Sequence, residues 1–403
     1  MTSLADRPSP LTGYRVLDLS RVLAGPWCGM VLADLGAEVI KVEHPQRGDD
    51  TRHWGTILPG GESCYFFAMN RNKRSIAIDL STKEGQQIIR DIARESDVVI
   101  ENYKNGDLRR HGLDYESLQA VNDQLVYCSI SGYGRTGPGA DRLGYDVLIQ
   151  AESGLMGVTG VPDGAPMKVG VPISDLLAGI HASQAILAAL LARTKIGKGQ
   201  YIDIAMMDCT LAMMSTVAVS ALRANKVPQR FGNAHPDIVP YQAFSASDGD
   251  VILTIGNDEQ FVRLCTIALD RPDLPKDPRY KTNRDRLVNR NELIQTLNDI
   301  LGQKPRHEWD KLFAKAGVPA GGVKNFLETA RGEIGKGRGQ IKTVKHSVEG
   351  DVEIIGSPLV FEKTPVVEPS PPPMLGEHTT EVLQQFGLSD ERIKELRDRR
   401  VVA

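Results

Sequence analysis

The chain has 403 residues, enough for two or three domains of ordinary size around a large buried core. Apolar residues make up 41% and charged residues 25%, values that exclude the disordered, collagen-like and coiled-coil classes. Against 51 Asp and Glu stand 48 Lys and Arg, a net charge of −3 with no basic block, which argues against a nucleic-acid partner and means that any anionic ligand must be met by a local group of bases.

In chain order, Arg15 to Ser20 is a short apolar run, a helical stretch follows from about Trp27 to Leu35, and Glu38 to Glu43 is a second strand. Further strands are predicted at Ser75–Asp79, Asp97–Glu101 and Leu125–Ile130, with an amphipathic helix over Lys83–Arg94. This alternation implies an α/β fold with a largely parallel sheet covered by helices. Leu176 to Arg193 reads as an apolar helix ended by the basic, glycine-rich Lys195-Ile-Gly-Lys-Gly199, and it should lie deep in a core or an interface. Its apolar stretch, Leu176 to Ala192, is interrupted by His181, Ser183 and Gln184 and falls short of the roughly 20 residues that span a bilayer, so no membrane partner is expected. Beyond Arg223 a fresh strand at Val251–Ile255 and charged helices to about Val318 mark a second, smaller domain. The proline-rich tract 365–373 should be an extended connector, and a terminal helix is predicted over Glu381–Arg397. Domains are therefore placed at 1–224 and 225–325, with 326–403 returning to the first. The five cysteines lack C-x-x-C spacing and the N-terminus lacks an apolar signal segment, which together suit a reducing, cytoplasmic setting.

Several segments carry two readings. The turn Ser20 to Gly29 sits where a doubly wound sheet binds ligands, yet it lacks G-x-G-x-x-G, and its glycines equally suit a tight turn. Glu43, ending the second strand, resembles an acid that grips a nicotinamide ribose, a reading weakened by the same missing fingerprint. Asn70-Arg-Asn-Lys-Arg-Ser75 is either a solvated turn or a phosphate site built on Lys73 and Arg74; Arg109-Arg110 shares the ambiguity. Asn102 to Gly106 is a turn by composition and a ligand loop by position. Asp175, just before the apolar helix, is placed as an N-cap, and the same dipole and amides would keep a nucleophilic carboxylate ionised. No zinc spacing and no G-x-S-x-G elbow occur, so no metal site is expected.

Val16-Leu-Asp-Leu-Ser-Arg-Val-Leu-Ala-Gly-Pro26, Leu35 to Glu43, Gly48-Asp49, Asn70 to Ser75, Glu101-Asn102, Ser129 to Gly134, Thr159-Gly160, Asp175 and Gly376-Glu-His-Thr379 follow one another through essentially the whole chain. In this set the chain resembles the class III (CaiB/BaiF, formyl-CoA transferase-like) coenzyme A transferases. The resemblance implies a Rossmann-like large domain, a smaller α+β domain and an interlocked homodimer. It implies transfer of CoA from an acyl-CoA donor to a free carboxylic acid, with Asp175 attacking the donor thioester to give a mixed anhydride and then an enzyme-bound thioester. The CoA contacts it implies fall on Val22, Leu23, His44, Ile78, Asp79, Leu80, Ser81, Asn102, Tyr103, Lys104 and Arg110, and on Leu143 to Asp146, including Tyr145 and Asp146. CoA is then a substrate, and no permanently bound cofactor is expected.

The chain departs from the family pattern at His44, where an arginine can stand, at Asn105 in place of proline, and at Leu143 in place of lysine. The loop Ile255 to Gln260 holds one glycine where formyl-CoA transferase is glycine-rich. An α-methylacyl-CoA racemase is the alternative within the family, but its histidine base is Tyr145 here, and tyrosine, with an ordinary pKa of about 10, is a poor base near neutrality. A non-catalytic CoA-binding paralogue is a further alternative, opposed by Asp175. The loop Gly232 to Tyr241 and Gly256-Asn-Asp258 favour succinyl-CoA as donor by resemblance.

Overall fold

The computed structural model describes residues 7–403. Of the described residues, the larger of two units comprises 7–155, 168–225 and 335–403, and the smaller comprises 156–167 and 226–334, so the short stretch 156–167, expected in the large domain, belongs with the smaller unit.

In the larger unit, β1 (Arg15–Asp18) leads into α1 (Ala24–Asp34) and β2 (Glu38–Glu43), followed by α2 (Cys64–Asn70), β3 (Lys73–Ala77), α3 (Lys83–Arg94) and β4 (Val98–Glu101). Then come α4 (Asp107–Arg110), α5 (Tyr115–Gln119), β5 (Val126–Ser131), α6 (Asp146–Glu152), α7 (Leu155–Val158), of which all but Leu155 belongs to the smaller unit, α8 (Ile173–Ile196), β6 (Tyr201–Ala205), α9 (Met206–Met213) and α10 (Ser215–Ala224). The six strands form one parallel sheet in the order β3-β2-β1-β4-β5-β6. Parallel strands covered on both faces must be apolar on both, which is why Val98-Val99-Ile100 is a continuous run. Val16, Val98, Ile100 and Cys128 turn to the face packed by α1 and α8, and Leu17, Ile40, Val99 and Tyr127 turn to the face packed by α3 and α5. The strand order reverses between β1 and β4, so the turns after these two strands diverge and open a crevice at the carboxyl ends of the sheet.

Helices α1 and α8 approach closely because Gly179 lacks a side chain: a Cβ there would lie 2.7 Å from the Ala24 carbonyl oxygen. The face of α8 carrying Ala178, Ala182, Ile186 and Ala189 is buried, whereas Ile180, Leu191 and Ile196 are exposed. Apolar exposure continues over α9 and α10 at Leu211, Val219 and Leu222. By length and composition α8 could cross a membrane.

The return segment 335–403 carries a hairpin of Ile341–His346 and Gly350–Ile355 and an extended tract tied by Val367 N–H to the Asp34 carbonyl. Instead of one terminal helix there are two, Thr379–Gln385 and Asp390–Asp398, separated at Gly387 with φ +84°. The chain end lies on the β3 edge, where Thr379 Oγ1 accepts the Ala77 N–H and Asp79 N–H donates to the Val401 carbonyl. In the smaller unit β7 (Tyr241–Ala246), β8 (Gly249–Thr254) and β9 (Ala320–Gly322) form an antiparallel sheet in that order, and its core includes Phe261, Leu297, Trp309 and Phe313.

Candidate functional site

The crevice at the reversal point is lined by the turn after β1 and the turn after β4. Val22 has φ +70°, a left-handed conformation that a β-branched residue resists. Side chains hold it there. The Asp49 carboxylate accepts the Val22 N–H at 3.2 Å, and Lys41 Nζ donates to the Ser20 carbonyl at 3.0 Å and to Asp49 at 2.9 Å. Both side chains of this ion pair are fully buried. Burial alone would raise the Asp49 pKa, but Lys41 and the Thr51 hydrogen bonds outweigh it and keep the carboxyl below the usual range. Asn102 clamps the neighbouring residue from the other turn, its Oδ1 accepting Arg21 N–H at 2.8 Å and its Nδ2 donating to the Arg21 carbonyl at 2.7 Å.

One cavity of about 290 Å³ is lined by Arg21, His44, Arg47, Ile78, Asp79, Leu80, Ser81 and Tyr103 among others. A second, of about 310 Å³, is lined by Arg21, Val22, Leu23, Asn102, Tyr103, Lys104, Leu143, Tyr145 and Asp175 among others. Arg21 and Tyr103 are the residues common to both. The loop carrying Leu143 and Tyr145 reaches the second cavity because Gly132 and Gly144 meet backbone to backbone; a Cβ on Gly132 would lie 2.7 Å from Gly144 Cα.

Asp175 lies in this second cavity, but not as the helix cap that its position in the sequence suggests. Helix α8 begins at Ile173 after Pro172, placing Asp175 within the first turn. Capping falls to Asp146, whose Oδ1 accepts the Ser174 N–H at 2.8 Å while its Oδ2 accepts from Gln150 at 2.6 Å. Asp175 makes no side-chain hydrogen bond among the described residues. Burial first, and the nearby Asp146 charge second, push its carboxyl up to about 7. The expectation of a carboxylate held ionised by helix amides is thus corrected: its surroundings favour the neutral acid, and its ionised form is poorly solvated.

Two basic groups that the sequence offered as phosphate contacts line neither cavity. Lys73 is fully buried, donating to Asp18 at 2.9 Å, the Pro26 carbonyl and Asn70 beneath α1. Burial pulls its pKa down to about 8 against the opposing pull of Asp18. Arg74 bridges Glu38 and Glu381 on the β3 edge. Arg110, at the exposed end of α4, pairs with Asp107 and also lines neither cavity. Lys73 and Arg74 are held by carboxylates of the fold, whereas the Arg110 side chain is exposed. Asp146 acts through the N-terminus of α8 and lies outside the lining. In the smaller unit, Ile255 to Gln260 is built as a helix cap: Asn257 accepts the Gln260 N–H and Gln260 Oε1 accepts the Gly256 N–H.

Arg21, the Lys41–Asp49 pair and Arg135 escaped the sequence reading. The signal for Lys41 was present, a lysine amid the apolar run of β2, as was Asp49 in Gly48-Asp49. Arg135 forms a second buried network, donating to Glu101 at 2.9 Å and to Ser129 at 2.5 Å. Burial raises the Glu101 pKa, with Arg135 opposing.

Comparison with known proteins agrees with this geometry. The sequence model of CoA-transferase family III matches residues 11–379. The chain is 42% identical to a human protein named succinyl-CoA:glutarate CoA-transferase, over 95% of this chain and 87% of that one. It is also 42% identical to a succinate–glutarate CoA-transferase of Agrobacterium fabrum, over 96% of this chain and 98% of that one. A CAIB/BAIF family protein from Brucella suis superposes with a TM-score of 0.86 at 42% identity, covering 94% of this chain and all of that one. With a family model spanning most of its length and relatives of this identity, the chain belongs to CoA-transferase family III and is a CoA-transferase.

Proposed function

We propose that the protein moves CoA from succinyl-CoA to a small dicarboxylic acid, glutarate first among them, with Asp175 as the acyl-accepting nucleophile. The observation that carries this reading is a buried carboxylate without a hydrogen bond, set at one end of two cavities that share Arg21 and Tyr103. CoA is a nucleotide joined through a diphosphate and a pantetheine arm to a thiol. Its nucleotide suits the cavity of His44, Asp79 and Ser81, and its thioester suits the cavity of Asp175. The names of the two relatives at 42% identity supply succinyl-CoA and glutarate.

The steps balance as successive acyl exchanges. Ionised Asp175 attacks the succinyl thioester carbonyl, the C–S bond breaks, and CoA thiolate leaves a succinyl–aspartyl anhydride. The thiolate then attacks the aspartyl carbonyl, releasing succinate and forming an aspartyl thioester. The acceptor carboxylate attacks that thioester, and the expelled thiolate takes the acceptor's acyl group, restoring the Asp175 carboxylate. Each stage conserves an activated acyl bond, so exclusion of water from the cavity is essential. The backbone of Val22 and Leu23, fixed by Lys41 and Asp49, forms one wall of this space.

The exposed apolar faces of α8, α9 and α10 support a homodimer, interlocked as in the family. The test of the chemistry is incubation with succinyl-CoA followed by hydroxylamine or borohydride and peptide mass analysis. Modification of Asp175, together with glutaryl-CoA formation when glutarate is present, is expected. A modified peptide lacking residue 175 would overturn the assignment.

A further inference from the structure

We propose that Arg21, which lines both cavities, binds the diphosphate of the CoA substrate. This rests on the reading of the crevice as an acyl-CoA site. The order of groups along CoA requires the diphosphate to lie between the nucleotide and the pantetheine arm. If those ends occupy the two cavities, the diphosphate crosses their common boundary, and the cation there is Arg21.

The arginine is built to be rigid. Asn102 brackets its backbone N–H and carbonyl, and residues on either side are tied by Lys41 to the Ser20 carbonyl and by Asp49 to the Val22 N–H. Its guanidinium lies over the Tyr103 ring, 4.9 Å from the centroid, which fixes the plane without using an N–H group. Little conformational freedom is left to lose when an anion binds.

The guanidinium is also uncommitted. Arg52, Arg71 and Arg135 each pair with at least one carboxylate at 2.5–3.1 Å. Arg21 has no side-chain hydrogen bond or ion pair among the described residues, and its Nε is buried without a partner. A cation held this firmly with its donors unspent is arranged for an external anion, and a planar fork of N–H groups matches the oxygens of a phosphate. Of the other cations, Lys73 pairs with Asp18, Arg74 with Glu38 and Arg110 with Asp107, while Arg47 lines only the first cavity and Lys104 only the second, so Arg21 is the cation common to both. In a chain of net charge −3 no general positive field replaces them.

The experiment measures calorimetric affinities of the full-length protein and of Arg21→Gln and Arg21→Lys for free CoA and for pantetheine, which lacks nucleotide and diphosphate. For Arg21→Gln the preference for CoA over pantetheine is expected to fall about ten- to a hundredfold, the range of one or two charge-assisted hydrogen bonds. Arg21→Lys should recover part of it as a point charge. In the unsubstituted protein CoA affinity should weaken with added salt, and Arg21→Gln should flatten that dependence. The proposal is overturned if both affinities fall in proportion, the mark of a structural role, or if the preference for CoA survives in Arg21→Gln. Should Arg21→Gln not fold, Arg21→Lys decides: a preference and salt slope identical to those of the unsubstituted protein overturn the bidentate role. Failure of the unsubstituted protein to bind CoA at all would instead overturn the acyl-CoA reading of the crevice.

Discussion

The burial of Asp175, the proposed nucleophile, costs stability. Its carboxyl is pushed from the ordinary 3.8 to about 7, so the folded state holds the proton more tightly than the unfolded chain. A raised carboxyl pKa makes folding progressively less favourable as pH climbs from about 4 to about 7, after which the deficit is constant. Asp175→Asn removes it, and the variant should gain roughly 2–4 kcal/mol at pH 8 over its difference at pH 4, read by denaturant unfolding at both values. Transfer should be lost in Asp175→Ala by a factor of about a thousand or more, measured as glutaryl-CoA formation. In the intact protein kcat/KM should rise with pH to a plateau above about 7, because the ionised carboxylate is the proposed nucleophile. Asp146→Asn removes the lesser of the two causes of the shift while keeping an oxygen for Ser174 N–H, so the midpoint of that profile should move down by less than about one pH unit.

Among the elements, the turn after β1 shows how a strained backbone is held for use. Lys41 and Asp49 come from β2 and the loop beyond it, and their fully buried pair holds the backbone on both sides of Arg21, at the Ser20 carbonyl and the Val22 N–H. Asp49→Ala would leave Lys41 buried without its partner and release the Val22 amide. A loss of about 3–5 kcal/mol is expected in chemical denaturation. Gly25 at the start of α1 meets the same turn from the other side, since a Cβ there would lie 2.2 Å from Ser20 Cβ. Gly25→Ala should therefore cost about 1–3 kcal/mol, with a larger loss in CoA affinity than an exposed substitution in the smaller unit such as Val288→Ala produces.

For the whole molecule, acid behaviour and assembly follow from where the charges and apolar faces lie. Asp18, Glu43 and Asp49 are buried, yet their cationic partners hold each pKa below its ordinary value. Carboxyls depressed in the folded state add stability that is present above the unfolded pKa of about 4 and lost as pH falls below it. Cooperative unfolding on acidification should start below about pH 4, followed by circular dichroism; a transition centred near pH 6 would contradict the burial of these pairs. The proposed interlocked dimer should stay intact on dilution in sedimentation velocity, since linked chains separate only on unfolding. A reversible monomer at micromolar concentration would rule out the interlock.

Much of the molecule was legible in the sequence: β2 and α3 fall where their patterns place them, and the parallel sheet follows from the alternation of strands and helices. Apolar periodicity is a local property, so local sequence carries it. The proposal of Asp175 as nucleophile comes from the family resemblance. Its environment was not legible, because capping of α8 came from Asp146, far along the chain, and left Asp175 free. The basic turn misled for the same reason: a cation's availability depends on which carboxylate folds against it, and Asp18 and Glu38 lie far from Lys73 and Arg74 in sequence. The order of residues determined the elements and the family. Which charges are spent on the fold and which are left for a ligand was decided only when the strands came together, since pairing across a sheet is a matter of distance in space and not along the chain.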